Sequence, residues 1–375
     1  MFFEQVLQQI INGLMLGSIY ISVAVAFTLA IGILNFLNFT IPALYMFAGM
    51  VGWSLSHYGL PFGLSGPIKW WFALFIGINC AILASLLVER FTYRLTTQIL
   101  KKHGFKFDFV DTRSIHDIKS AIKSNTKWVF VETPTNPLLE LCDIKGTSKL
   151  CKEKDVLLAV DNTFMSPYGQ SPIALGADVV MHSATKYIGG HSDLISGVLI
   201  TNNRSIADSL YFIQKSGGAI PSPFDSWLLL RSTKTLGLRV QRQSDNAFEL
   251  ARNLEGHSAI NSLIYPGLES HPQNKIALKQ QLNPDGNPIF GSVFSIILHS
   301  LEKRDDFLRK IKLFTLAESL GGVESLISVP YDMTHVSVPA EVKREMGLPK
   351  TLVRLSVGIE DLEDLHMDIV QALKD

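Results

Sequence analysis

The chain has 375 residues, with 34 Lys and Arg against 34 Asp and Glu, so its formal net charge is zero. It has no basic stripe with interleaved aromatic residues, which argues against a nucleic-acid partner. Its three cysteines, Cys80, Cys142 and Cys151, lack metal-ligand spacing and predict neither a metal site nor a disulfide framework.

The first 98 residues carry very little charge. They contain five charged residues, namely Glu4, Lys69, Glu89, Arg90 and Arg94. Three apolar stretches, at about 11–36, 41–59 and 70–88, approach the length of about 20 residues with which a helix crosses a bilayer. No basic segment of the kind that opens a cleaved signal peptide precedes them. We therefore expect an all-α transmembrane segment that inserts in the membrane over residues 11–88.

The charge that follows the third span predicts its orientation. Arg90, Arg94, Lys101 and Lys102 come directly after it, and an excess of Lys and Arg marks the cytoplasmic side of a membrane. The remainder of the chain is therefore expected in the cytoplasm.

Three sequence stretches in this region resemble another kind of protein: "NGLMLGSIYISVAVAFTLAIGILNFLNF", "ALYMFAG" and "LLVERFTYR". They are similar to the beginning of a LivH-type permease of a branched-chain amino acid ABC transporter, over residues 1–94. The resemblance offers one alternative function, a permease fragment. The many further spans that such a permease implies are not found in this sequence.

After residue 99 short β-branched runs alternate with amphipathic segments. The predicted strands are "FDFVD", "WVFVET", "VLLAVDN", "DVVMHSA" and "GVLIT", and the predicted helices between them are "IHDIKSAIKS" and "IKGTSKLCKEK". This alternation is typical of an α/β domain with a parallel sheet. A longer helical pattern over 239–255 leads into a more mixed carboxyl-terminal domain. The predicted domains are 1–91, 92–255 and 256–375.

Polar residues follow the ends of these strands, where α/β proteins place their ligand sites. They are Glu132, Asn136, Asp161 and Lys186. An aspartate at one strand end and a lysine after the next strand suit a cofactor with a basic ring nitrogen and an aldehyde. Pyridoxal phosphate has both groups, since a carboxylate keeps its ring nitrogen protonated and a lysine amine binds its aldehyde. Ser183 and Thr185 flank the lysine and offer hydroxyl donors to a phosphate.

The segment "DVVMHSATKYIGGHS" is identified as the lysine signature of the Cys/Met-metabolism pyridoxal-phosphate enzymes. Six more segments match this family in order: "VETPTNPLLELCDIK", "DNTFMSPYGQSPIALGAD", "PFDSWLLLRSTKTLGLR", "YPGLESHPQ", "AESLGGVESLISVP" and "LVRLSVGIEDLEDL". The resemblance covers about 92–375. It implies the fold of a PLP-dependent transferase, the aspartate aminotransferase fold type I, with an incomplete large domain and a smaller α+β carboxyl-terminal domain.

The resemblance also assigns roles to residues on the cofactor side. Lys186 is implied as the catalytic lysine that binds the cofactor's aldehyde, and Asp161 as the partner of the ring nitrogen. Ser183 and Thr185 are implied as phosphate ligands. Asn136 is implied to lie beside both the cofactor's phenolic oxygen and the substrate carboxylate.

The substrate side is implied in the same way. Arg354 would bind the substrate's α-carboxylate with Ser319 nearby, Glu318 would face the distal amino group of cystathionine, and Arg94 would serve as a further substrate-side arginine. Among the members of this family, the chain resembles cystathionine γ-lyase and cystathionine γ-synthase. We expect C–S bond cleavage or formation at the γ carbon of an amino acid, with cystathionine, an activated homoserine or cysteine as substrate. Lyase and synthase stay open at this point, and a homo-oligomer is expected.

The two resemblances meet near residues 92–94. The family's segment before this point reads like "YGGTYR", whereas this chain has "ERFTYR", so Glu89 stands where the family has a tyrosine that stacks on the cofactor. Loss of that ring predicts weakened cofactor binding and low turnover. A junction product without either activity is therefore a third interpretation of the sequence.

Overall fold

The computed structural model describes residues 104–336 and 338–374. The predicted membrane spans, Glu89 and Arg94 lie outside these residues. By its internal contacts the chain divides into two compact units, Met1–Thr92 and Tyr93–Asp375, and the described residues belong to the second. Among them, no helix combines the length and the apolar character that crossing a bilayer requires.

A four-stranded sheet forms the first half of the described chain. Its strands are β1 (Trp128–Glu132), β2 (Leu157–Asp161), β3 (Val179–Ser183) and β4 (Gly197–Ile200), which lie side by side in that order. β1, β2 and β3 are parallel, as predicted, whereas β4 runs antiparallel to β3. The expectation of a wholly parallel sheet is wrong at this strand. Residues 184–196 form turns at one edge of the sheet and contain no crossover helix, so the chain returns in the opposite direction.

Five helices accompany this sheet: α1 (Ile115–Ala121), α2 (Ile144–Glu153), α3 (Ser166–Gly169), α4 (Arg204–Gly217) and α5 (Pro223–Thr233). Helix α2 begins where Asp143 accepts a hydrogen bond from the N–H of Gly146, an N-cap contact that satisfies a free main-chain donor. The predicted strand at 107–111 is not formed. Phe107 and Phe109 are exposed, and β1 pairs with β2 alone among the described strands.

A second, five-stranded sheet occupies the carboxyl-terminal half. Its strands are β5 (Ile260–Ile264), β6 (Val293–Leu298), β7 (Thr315–Leu316), β8 (Leu326–Ser328) and β9 (Leu352–Ser356), and their order is β5-β6-β9-β8-β7. The helices of this half are α6 (Leu236–Leu254), α7 (Asn274–Gln280), α8 (Leu301–Lys310), α9 (Ala340–Glu345) and α10 (Leu362–Leu373). The long helix predicted over 239–255 is confirmed as α6. The domain limits at 91/92 and 255/256 stay predictions.

Apolar contacts join the two sheets around the lysine of the sequence motif. Tyr187, next to Lys186, is buried in a cluster with Val240 of α6 and Val293 of β6. The Tyr187 hydroxyl lies 2.7 Å from the hydroxyl of Ser292. This packing holds the end of β3 against the five-stranded sheet, so groups from both sheets can reach one site.

Candidate active site

Lys186 lies in a turn that follows β3 directly. The N–H of Lys186 donates to the carbonyl of Ser183 (3.1 Å), and the N–H of Gly190 donates to the carbonyl of Lys186 (2.7 Å). Gly190 has a φ of 69°, in the left-handed region that favours glycine. A Cβ at Gly190 would also collide with the guanidinium of Arg239. Glycine is therefore required at position 190, because of the main-chain conformation there and because the guanidinium of Arg239 lies too close for a side chain.

Arg239 holds the lysine turn from the side of α6. Its Nη1 donates to the carbonyl of Tyr187 (2.7 Å), and its Nη2 donates to the carbonyls of Ser232 (3.0 Å) and Ile188 (3.4 Å). Its Nε donates to the hydroxyl of Thr235. The side chain is buried, and burial lowers its pKa. Sequence reasoning missed this residue, although Arg239 ends the family segment "TKTLGLR".

The side chain of Lys186 points toward the loop before β8. Its Nζ donates to the hydroxyl of Ser319 at 3.2 Å. The pKa of Lys186 is lowered to about 8, mainly because the side chain is buried and in part because Arg354 is nearby, while Glu318 opposes the shift. An amine with a pKa this close to neutrality has a substantial unprotonated fraction, which is the form that attacks an aldehyde.

Arg354 comes from the middle of β9 and is almost completely buried, with 1% of its surface exposed. Its Nη1 donates to Oδ1 of Asn136 (2.9 Å), and its Nη2 donates to the carbonyls of Glu318 (2.8 Å) and Ser319 (3.0 Å). Its Nε is buried and has no hydrogen-bond partner among the described residues. Burial lowers the pKa of Arg354 to about 10, so the guanidinium is still charged at neutral pH. A buried cation with an unused donor is suited to an anionic ligand.

Asn136 is held in place by the second sheet, although it follows a strand of the first. The hydroxyl of Ser295, on β6, donates to the carbonyl of Pro137 at 2.9 Å. Ser295 pairs with Arg354 in the register of β6 and β9. Two neighbouring positions of the five-stranded sheet therefore bind two consecutive residues of the same loop, which orients the amide of Asn136.

Asp161 ends β2 and is fixed by a short local network. Its Oδ1 accepts hydrogen bonds from the N–H (2.9 Å) and from the hydroxyl (2.6 Å) of Thr163. The same hydroxyl accepts the N–H of Ser183 at 2.8 Å. Thr163 thus ties the carboxylate of Asp161 to the end of β3. Sequence reasoning did not identify Thr163, although it lies two residues from Asp161 in "DNT".

Two other predicted residues have different surroundings, and a third lies outside the described residues. The hydroxyl of Thr185 donates to the carbonyl of Ser196 (3.3 Å) and accepts its N–H (3.1 Å), so its proton is used by the main chain. The carboxylate of Glu318 acts electrostatically on both Lys186 and Arg354. Arg94 lies outside the described residues. The predicted roles of these residues stay predictions.

The groups gathered here fit a cofactor that has an aldehyde at one side and a basic ring nitrogen at another. Lys186 provides an amine with a lowered pKa, and Asp161 provides an oriented carboxylate. Arg354 provides a buried cation with an unused donor. Among the described residues, fewer donors are available for the phosphate of such a cofactor, because the hydroxyl of Thr185 donates to the carbonyl of Ser196.

Comparison with known proteins agrees with this chemistry. The sequence pattern of the Cys/Met metabolism PLP-dependent enzymes matches residues 77–374. The chain belongs to this family. The match begins at residue 77 rather than at 92, so it includes part of the predicted third span. Pyridoxal phosphate is the cofactor of the family.

Individual relatives share nearly half of the aligned residues. The cystathionine gamma-lyase of Bacillus subtilis is 49% identical over 283 residues, which are 76% of this chain and 73% of the relative. The cystathionine beta-lyase of Lactococcus lactis subsp. cremoris (strain MG1363) is also 49% identical, over the same shares. The crystal structure of cystathionine gamma-lyase from Lactobacillus plantarum complexed with L-serine has a TM-score of 0.72 and 40% identity, and the match covers 75% of this chain and 72% of that one. These matches establish the family's α/β fold for the described residues.

Proposed function

We propose that this chain cleaves or forms the C–S bond at the γ carbon of a cystathionine-type amino acid. The observation that carries the proposal is the link through Ser319. Its hydroxyl accepts a hydrogen bond from Lys186 Nζ, and its carbonyl accepts one from Arg354 Nη2. An amine that can move protons and a cation that can bind a carboxylate are thereby held together.

The residues of the four-stranded sheet would hold the cofactor. Lys186 would bind its aldehyde, Asp161 would lie at its ring nitrogen, and Ser183 and Thr185 would contribute to its phosphate site. When bound, pyridoxal phosphate supplies an aldehyde for the substrate's amino group and a ring that accepts the electron pair left at the α carbon. Lys186 Nζ would take a proton from the α carbon and then one from the β carbon, which supplies the electron pair that expels the sulfur at the γ carbon, and the departing sulfur would take up a proton. The lowered pKa of Lys186 suits an amine that both accepts and returns a proton.

The residues of the five-stranded sheet would recognise the substrate. Arg354 would bind the α-carboxylate through its unused Nε and one of its Nη groups, and Asn136 would orient both that arginine and the carboxylate. Glu318 would face the distal amino group, as the resemblance to the family implies, and its carboxylate acts on the charges of Lys186 and Arg354 in the same site. A negative side chain at this place favours a substrate with a second ammonium group, as in cystathionine.

Product analysis tests the proposal directly. Cleavage of cystathionine with water at the γ carbon gives cysteine, a four-carbon 2-oxo acid and ammonia. Cleavage at the β carbon gives homocysteine, a three-carbon 2-oxo acid and ammonia. The full chain, supplied with saturating pyridoxal phosphate, should release the first set, or should join cysteine to an activated homoserine, at the low rate predicted from Glu89 in place of the stacking tyrosine. Release of the second set alone would overturn the assignment to the γ carbon, and the absence of all these products would overturn the proposed function.

We also propose, on sequence grounds, that residues 11–88 anchor the chain in the membrane and that residues 92–255 and 256–375 form a large and a small domain in the cytoplasm. Assembly as a homo-oligomer and a substrate-side role of Arg94 belong to the same proposal. The full chain should remain in membranes after a carbonate wash, whereas a chain that starts at Thr92 should be released. Release of both chains would contradict the anchor.

A further inference from the structure

The family segment "YPGLESHPQ" (265–273) ends in a glutamine that contacts a distant loop. Gln273, directly before α7, binds Leu141 through both ends of its side-chain amide. Its Oε1 accepts the N–H of Leu141 (2.7 Å), and its Nε2 donates to the carbonyl of the same residue. The N–H of Gln273 donates to Nδ1 of His271 (3.2 Å), which fixes the main chain at the glutamine. The proposed cofactor and substrate sites use no residue of this segment.

Leu141 lies at the end of the loop that contains Asn136. Thr135 and Glu140 exchange two hydrogen bonds that close this loop. The N–H of Thr135 donates to the carbonyl of Glu140, and the N–H of Glu140 donates to the hydroxyl of Thr135, both at 3.0 Å. Asn136 follows Thr135 and Leu141 follows Glu140, so a movement of the main chain at Leu141 is transmitted to Asn136 across this pair.

The same loop contains a main-chain conformation that needs support. Leu139 has a φ of 55°, in the left-handed region that residues other than glycine rarely adopt. Its side chain is buried, and its N–H donates to the carbonyl of Thr135 at 2.9 Å. A strained conformation of this kind persists where the surrounding contacts hold it. Gln273 supplies two of these contacts, at Leu141, and their loss allows the loop to relax.

We propose that Gln273 is a positioning residue for recognition of the substrate's carboxylate, because it holds the loop 135–141 in the form that places Asn136 against Arg354. The proposal rests on the proposed function for the identity of the substrate. Asn136 Oδ1 accepts a hydrogen bond from Arg354 Nη1 at 2.9 Å, whereas the acceptors of Nη2 are main-chain carbonyls. Displacement of Asn136 releases Nη1, and the guanidinium is then no longer oriented for the carboxylate.

A second glutamine, at the end of α7, provides an internal comparison. Gln280 accepts the N–H of Ile144 (3.3 Å) and donates to the carbonyl of Cys142 (3.0 Å). It therefore also makes two hydrogen bonds to the main chain, but at the start of α2. The N–H of Cys142 donates to the hydroxyl of Thr133 (3.0 Å), so this residue stays attached without Gln280. Loss of either amide should lower stability, whereas only loss of Gln273 should affect the substrate.

The first test requires neither cofactor nor turnover. Gln273→Met keeps the length of the side chain but can bind neither main-chain group of Leu141. Hydrogen exchange of the full chain, measured by mass spectrometry, should be about tenfold faster in peptides that cover 135–141, because local opening becomes easier. Peptides that cover β2 should exchange as in the native chain, and the control Gln214→Met, on the exposed helix α4, should change neither region. Unchanged exchange over 135–141, or faster exchange throughout the chain, would overturn the proposal.

The second test separates positioning from a general structural role. With saturating pyridoxal phosphate, Gln273→Met should have a KM for cystathionine about tenfold above that of the native chain and a kcat within about threefold, because the contact acts on substrate binding. Gln280→Met should keep its KM within about threefold, although its melting temperature falls as in Gln273→Met.

Two outcomes of the second test contradict the proposal. An equal rise in KM in Gln273→Met and Gln280→Met would attribute that rise to lost stability. A fall in kcat without a rise in KM would show that Gln273 acts on the chemical step instead. If Gln273→Met does not fold, Gln273→Glu takes its place, because it keeps an acceptor for the N–H of Leu141 and loses only the donor, and the same outcomes decide.

Failure of the proposed function is distinguishable from failure of this proposal. If the native chain does not turn cystathionine over, the proposed function fails. The hydrogen exchange of 135–141 still decides whether Gln273 holds the loop that contains Asn136.

Discussion

The two sheets supply the site in different ways. The four-stranded sheet contributes Asp161 and Lys186 from residues that end or directly follow a strand, and Asp161 is fixed by Thr163, two residues away. The five-stranded sheet contributes Arg354 from the interior of a strand, and its side-chain partner Asn136 is 218 residues away in sequence. One half of the site is assembled locally, whereas the other exists only when distant segments pack together.

This difference has an energetic consequence. Burying the guanidinium of Arg354 removes it from water, and its hydrogen bonds to one amide oxygen and two carbonyls offset part of that loss. Asp161 has local donors, so fewer distant contacts are needed to orient it. We expect substitutions at Asp161 to alter the affinity for the cofactor and substitutions at Arg354 to alter the affinity for the substrate. Each substitution should have little effect on the other affinity.

The largest effect is expected at Lys186, where the two halves meet. Lys186→Arg keeps the charge but removes the amine that binds the aldehyde and moves the proton. Turnover of cystathionine should fall by about four orders of magnitude, the upper range for loss of a positioned acid-base group. Borohydride treatment should attach the cofactor to the peptide that contains Lys186 in the native chain and not in the variant. Lys215→Arg, on the exposed helix α4, is the matched control. Cofactor attached to Lys101 or Lys312 instead would refute the assignment.

A smaller effect is expected at Asp161, on the cofactor side. Asp161→Asn removes the charge-assisted hydrogen bond to the ring nitrogen, which is worth about 1.5–3 kcal/mol. The Kd of pyridoxal phosphate, measured by absorbance titration, should rise about 10- to 100-fold, while the KM for cystathionine at saturating cofactor changes less than threefold. Asp208→Asn, at an exposed position of α4, should change neither quantity. An unchanged Kd would remove Asp161 from the cofactor site.

The opposite pattern is expected at Arg354. Lysine cannot make the paired hydrogen bonds of a guanidinium, so Arg354→Lys should raise the KM for cystathionine about tenfold or more and leave the Kd of pyridoxal phosphate within about threefold. Arg252→Lys, which changes an exposed arginine, is the control. If both quantities change together in Arg354→Lys, the division of the site between the two sheets is wrong.

The smallest effect is expected at Thr163. Thr163→Val keeps the branched shape but removes the hydroxyl that joins Asp161 to the N–H of Ser183. The carboxylate of Asp161 keeps the bond from the N–H of Thr163 but is less firmly oriented, so the Kd of pyridoxal phosphate should rise about fivefold, which corresponds to about 1 kcal/mol. The substrate KM should stay the same, and Thr233→Val, on the exposed side of α5, should behave like the native chain. If the KM for cystathionine changes and the Kd of pyridoxal phosphate does not, Thr163 acts on the substrate side of the site and this prediction is wrong.

Part of this architecture was predictable from the sequence. The alternation of apolar runs predicted β1, β2 and β3 with their parallel order, and the residues at the ends of these strands predicted where Asp161 and Lys186 would lie. The motif around Lys186 and the six ordered segments predicted the family, which the comparisons confirmed. Two predictions about strands were wrong, because the direction of β4 and the absence of a strand at 107–111 depend on which neighbours are available for pairing.

The sequence by itself determined the identity and position of Lys186 and Asp161 and the strand ends that present them. Each of these depends on contacts within a few residues. Only the tertiary structure decided the rest. A lone arginine in a sequence most often forms a surface ion pair, yet Arg354 is buried and bonded to Asn136. The clamp of Arg239 on the lysine turn, the use of the Thr185 hydroxyl by Ser196 and the contact of Gln273 with Leu141 likewise appear only in three dimensions. The physical reason is burial, since the pKa of a side chain and its available donors depend on the distant segments that exclude water from it.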